Sequence, residues 1–133
     1  MVIFAHSGTY DRLHQVSTIA LTAAAMGKDV LVVLFFWALK KLSSGELDRL
    51  DFPPEYAGWG ETIGKLIAEK KMPTVSEMFR DAKAIGRVKL VICSAGLDYM
   101  NVDRAQLDPL VDDVWGLPSV LTALEGAETV LYI

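Results

Sequence analysis

The chain has 133 residues, enough for one domain with a real hydrophobic core, and positions 1–133 read as that single domain. Hydrophobic residues make up 52% and charged residues 23%, an apolar balance for so small a protein that predicts subunit contacts and a homo-oligomer. A formal net charge of -4, with no Lys/Arg block, leaves no electrostatic footprint for DNA or RNA and argues against a nucleic-acid partner.

Met1-Val2-Ile3-Phe4-Ala5 lacks the basic start and cleavage site of a signal peptide. It reads as a first strand from Val2 to Ala5, and the expected compartment is the cytoplasm. His6-Ser7-Gly8-Thr9 follows as a loop, with Thr9 as a helix N-cap and Asp11 suited to the first turn. Leu13, Val16, Ala20, Ala23 and Ala24 then recur at helical spacing up to Gly27. Asp29 to Phe36 is a continuous apolar run, the pattern of a strand covered on both faces of a parallel sheet. The longest apolar stretch, Val30 to Leu39, is about half the roughly 20 residues a membrane-crossing helix needs, so no membrane span is expected. Trp37 to Leu42 reads as a short helix.

Ser43 to Lys71 is the least regular segment, with Pro53-Pro54 and Gly58-Trp59-Gly60 ahead of a helix at Glu61 to Lys70. It is expected to be mobile, and Trp59 is either a lid over a site or an exposed or subunit-contact residue. Thr74 and Glu77 form a capping box, and Val75, Met78, Phe79, Ala82 and Ile85 line one face before Gly86 ends that helix. Val88 to Cys93 is a third strand and Leu110 to Val114 a weaker fourth. Pro118 and Gly126 frame a last helix, and Thr129 to Ile133 supplies a final strand.

Strands alternating with helices predict an α/β fold: three layers, α/β/α, around a mostly parallel sheet of about five strands. In such sheets ligands bind beyond the carboxyl ends of the strands. The candidate binding residues are therefore His6, Ser7, Gly8, Phe36, Trp37, Ser94, Gly96 and Trp115, and the candidate catalytic residue is Cys93.

Cys93 is the chain's one cysteine, which excludes an intrachain disulfide, a CxxC pair and an intrachain resolving thiol, and leaves an intermolecular one open. It is either a small core hydrophobe or a nucleophile facing a cleft. Its place at a strand end favours the nucleophile. If Gly96 to Asn101 begins a helix, first-turn amides would favour a nearby thiolate. His6 is either a base or cation across the cleft from Cys93, or a histidine bonded to nearby backbone. His14 belongs to surface or packing. Two histidines and one cysteine fall short of the four ligands of a structural zinc site, so no metal is expected. The Gly8 and Gly96 loops lack the spacings of nucleotide-binding glycine loops, and no cofactor is implied.

Several segments, in their order and spacing, resemble the DsrE/DsrF-like family. They are Phe35-Phe36-Trp37-Ala38-Leu39-Lys40-Lys41-Leu42, Met72-Pro73-Thr74-Val75-Ser76-Glu77-Met78, and Cys93 ahead of Asp98-Tyr99-Met100. The closing Gly116 loop, Ala123-Leu124-Glu125-Gly126-Ala127 and Val130-Leu131-Tyr132-Ile133 extend the likeness over nearly the whole chain. The chain departs from it at Ser94-Ala95-Gly96, where relatives often carry bulkier polar residues or Met. The resemblance implies a small three-layer subunit assembled as a homotrimer or homohexamer. It also implies that Cys93 carries sulfane sulfur, as persulfide or thiosulfonate, between a low-molecular-weight donor and a small sulfur-carrier protein. The alternative is a non-catalytic oligomeric module that binds a ligand or protein, with Cys93 structural.

Overall fold

The computed structural model describes residues 1–133. Chain order is β1 (Val2–Ala5), α1 (Tyr10–Ala25), β2 (Val30–Leu34), α2 (Phe36–Ser43), a 3-10 turn (Pro54–Trp59), α3 (Gly60–Lys70) and α4 (Val75–Ala84). It continues through β3 (Val88–Cys93), α5 (Ser94–Tyr99), a second 3-10 turn (Arg104–Gln106), β4 (Asp113–Trp115), α6 (Leu117–Leu124) and β5 (Val130–Tyr132). No helix is long and apolar enough to cross a membrane.

The five strands form one sheet in the order β4-β3-β2-β1-β5, and every pairing is parallel. Parallel crossovers are right-handed, so the direction of each step across the sheet decides which face its helix covers. The steps β1 to β2 to β3 to β4 all run one way, which puts their helices on one face. The return from β4 to β5 runs the other way, which leaves α6 alone on the opposite face.

The buried side chains divide accordingly. Ile3, Ala5, Val32, Leu34, Leu90 and Ile92 join Leu13 of α1, Leu39 of α2 and Phe79 of α4 in the larger core. Val2, Phe4, Val33 and Val91 meet Val120 of α6 in a smaller one. The predicted three-layer α/β/α fold is the one observed, with one outer layer much thinner than the other.

Several predicted boundaries move. The fourth strand is Asp113–Trp115, not Leu110 to Val114, because Leu110 and Val111 turn into the larger core and the Asp112 carboxylate accepts the Leu90 amide. The second strand stops at Leu34, and Phe36 starts α2 with φ 38. Thr9 is the N-cap of α1 but its hydroxyl does not cap, since it bonds Ser7 Oγ at 3.0 Å and the Tyr10 amide donates to the Asp51 carbonyl.

Candidate functional site

Sheet register assembles the first set of candidates. Ala5 pairs with Leu34 and Leu34 with Ile92, so one residue further on His6, Phe35 and Cys93 fall in one row, with Cys93 paired to Trp115. Side chains alternate along a strand, so His6 and Cys93 share the α6 face with Phe4 and Val91. The carboxyl ends of the strands thus bring His6 and Cys93 to the same rim, as predicted, but not into contact. They stand two strands apart, roughly 10 Å by the spacing of neighbouring strands. Phe35 occupies the position between them, and the His6 ring stacks on it at 5.0 Å between centroids. The exposed His6 ring makes that stack rather than a bond to the thiol.

Cys93 ends β3 and is the N-cap of α5, with no side-chain capping bond. The helix therefore begins at Ser94, two residues before its predicted start, and is six residues long. Cys93 is 5% exposed.

Two other candidates serve packing. Gly96 is buried where α5 meets α2, and a Cβ there would approach Leu39 Cδ1 to 2.9 Å. Trp115 is the last residue of β4, but its ring is drawn away from the rim. Its Nε1 donates to Asp113 Oδ2 at 2.9 Å and the Lys89 ammonium lies 4.6 Å from the ring centroid, both toward the amino end of the strands. The indole bond, more than the Val114 amide or the nearby cations, holds the Asp113 carboxyl below its usual range. Trp115 there lines a groove of about 500 Å³ with Leu31, Lys89 and Ala127.

Ser94 opens α5 with its hydroxyl toward Gly116, and Ser7, Gly8, Phe36 and Trp37 meet on the other side of the rim. The loop after β1 and the start of α2 clasp each other: the Ala38 amide donates to the His6 carbonyl at 3.2 Å, and a Cβ on Gly8 would come within 2.8 Å of the Trp37 carbonyl oxygen. Only glycine fits that approach. Phe36, beside it, takes a left-handed backbone that bulky residues rarely adopt. Ser7, Gly8 and Trp37 line a cavity of about 380 Å³ together with Lys40, Lys41 and Arg49.

Sequence reasoning missed that charged half of the rim. Its one visible signal was the Lys40-Lys41 pair in the last turn of α2. Lys41 is buried and ion-pairs with Asp51, which also takes Arg49 Nε at 2.7 Å. The Lys41 bond first, then that of Arg49, holds the Asp51 carboxyl below the usual carboxylate range against an opposing effect of burial. Trp59 does not roof Cys93. It leads into α3, whose Gly60 and Gly64 lie against Leu50 on the larger-core side of the sheet. No three His, Cys, Asp or Glu side chains converge as a metal site.

No family model and no curated protein matches the chain. Among solved structures it is similar to the protein of unknown function MTH1491 from Methanobacterium thermoautotrophicum, at 15% identity and a TM-score of 0.58. The likeness covers 99% of this chain and 96% of that one, and at this identity the two share a fold.

Proposed function

We propose that this chain is a cytoplasmic sulfur carrier of the DsrE/DsrF-like kind, holding sulfane sulfur on Cys93 within a homotrimer or homohexamer. The observation that carries the reading is the position of Cys93: the chain's only thiol ends a central strand at the rim where α/β sheets bind ligands. The chemistry needs one thiolate and no metal. The Cys93 thiolate attacks the outer sulfur of a thiosulfate-type donor, an S–S bond forms, and the donor's own S–S bond breaks with its electron pair leaving on sulfite. The Cys93 persulfide then gives its outer sulfur to a thiolate of a small carrier protein, which regenerates the Cys93 thiolate. No net oxidant or reductant enters either step.

The 5% exposure of Cys93 favours a second reading, a non-catalytic oligomeric module in which the thiol is packing. One experiment separates the two. Purified protein and Cys93→Ser are incubated with thiosulfate, tetrathionate and polysulfide, and intact masses are recorded with and without reductant. The carrier reading expects a sulfur adduct on wild type alone, removed by reductant. Absence of any adduct, with a thiol that resists alkylation in the native state, sinks it and leaves the binding module.

A further inference from the structure

We propose that the cavity between the loop after β1 and α2 is a second site, separate from Cys93, which binds a phosphomonoester whose molecule also bears a flat ring. The cavity holds about 380 Å³, within the range of small-molecule sites, and opens beyond the carboxyl end of β1.

Its charges determine the ligand. Both carboxylates on its wall are already engaged: Asp51 by Lys41 and Arg49, and Glu46 by Arg49 and the Ser44 hydroxyl. The cations are not used up. Lys40 holds only the Met100 carbonyl, at 3.4 Å, and keeps two ammonium hydrogens free. Arg49 uses Nε and Nη1 on its carboxylates and leaves Nη2 unbonded. Three cations against two carboxylates leave an excess of one positive charge, and an anion satisfies it.

Ser7 and Thr9 add hydroxyls on the loop side, 3.0 Å apart, so one hydroxyl hydrogen remains for a ligand oxygen. Trp37 stands on the wall with 65% of its surface exposed, a flat apolar face beside a charged cavity. An indole so placed is a stacking platform, which selects a ring over a bare oxyanion. No glycine-loop motif takes part, and for that reason sequence spacing gave the site little support.

The test is calorimetric titration of the full chain with adenosine monophosphate, with adenosine and inorganic phosphate as separate arms. Adenosine monophosphate is expected to bind with a Kd near or below roughly 1 mM and to quench tryptophan emission, while each half alone binds at least roughly tenfold more weakly. Lys40→Ala and Trp37→Ala, both at exposed positions, are expected to weaken binding by about tenfold with thermal midpoints unchanged. No binding in that range, binding indifferent to both substitutions, or adenosine or phosphate alone binding as well as the intact compound would each overturn the proposal. None of these results depends on sulfur loading, so the site and the carrier reading fail separately.

Discussion

Lys41 is 6% exposed, and a buried ammonium persists only where something compensates its lost hydration. Here Asp51 pairs with it and the Arg49 carbonyl accepts from it at 3.2 Å, so one lysine ties α2 to the chain that returns past the rim cavity. Removing a partner of a buried pair costs roughly 3–5 kcal/mol; because the Asp51 side chain is 41% exposed, Asp51→Ala is expected to cost about 2 kcal/mol in urea denaturation. Lys41→Met with Asp51→Ala should recover most of that, since no charge is then stranded. The pH dependence follows from the sign of the Asp51 shift. Its folded value lies below the ordinary 3.8, so the pair's stabilisation is fully present above that value and is lost as pH falls through the folded one. The stability gap between wild type and Asp51→Asn should hold steady from about pH 7 to about pH 5 and shrink at more acid pH. A gap that does not shrink there would show that the carboxylate charge is not what holds Lys41. Of this only the Lys40-Lys41 pair was visible in the sequence, and nothing there joined Lys41 to Asp51. Cys93 was legible as a strand end. Its burial depends on neighbours from other strands and was not.

At the level of elements, the sequence was most readable where local chemistry and tertiary packing agree. The capping box closes as predicted: Glu77 Oε2 accepts the Thr74 amide at 2.8 Å and the Thr74 hydroxyl accepts the Glu77 amide at 3.3 Å, while Val75, Met78, Phe79 and Ala82 are buried. Thr9 reads the same way in sequence and behaves otherwise, because Ser7 and Asp51 supply bonds that only the folded chain brings near. Thr74→Ala should therefore lower stability by about 1 kcal/mol, and Thr9→Ala by roughly 0.5 kcal/mol or less, as read from denaturation midpoints. Equal losses would mean that the cap bond is not what distinguishes the two. The fourth strand was misplaced for a similar reason. Leu110 and Val111 look like strand residues, but they are spent on the larger core, and the ladder forms instead on Asp113, Val114 and Trp115. The helix expected at Glu61 to Lys70 forms as α3, Gly60–Lys70, whereas the 3-10 turn at Pro54–Trp59 ahead of it lay in the stretch read as irregular. Neither contains a buried residue, so their apolar side chains leave only a weak periodic signal.

Across the whole molecule, strand order decides what remains uncovered. A sheet of order β4-β3-β2-β1-β5 with right-handed crossovers receives one helix on its second face, and α6 buries only Val120 completely. Leu117 and Leu121, one turn apart on α6, stay 51% and 52% exposed, and Tyr132 on edge strand β5 is 70% exposed. Strand–helix alternation predicted both layers, whereas strand order, and with it the thinness of the second layer, is set by long-range pairing that local pattern does not encode. Apolar surface gathered on a thin layer is the surface that association between copies would bury, which fits the excess of hydrophobic residues in so short a chain. A mass above that of the monomer is accordingly expected by light scattering at micromolar concentration. Leu121→Glu should shift it toward monomer, since burying a charge at such a contact is costly, and because Leu121 faces solvent within one chain the thermal midpoint measured in dilute solution should change little. A monomeric wild type would remove this account of the apolar composition. An oligomer indifferent to Leu121→Glu would move the contact to another surface, the nearest being the rim where Phe36, Trp37 and Tyr99 are exposed.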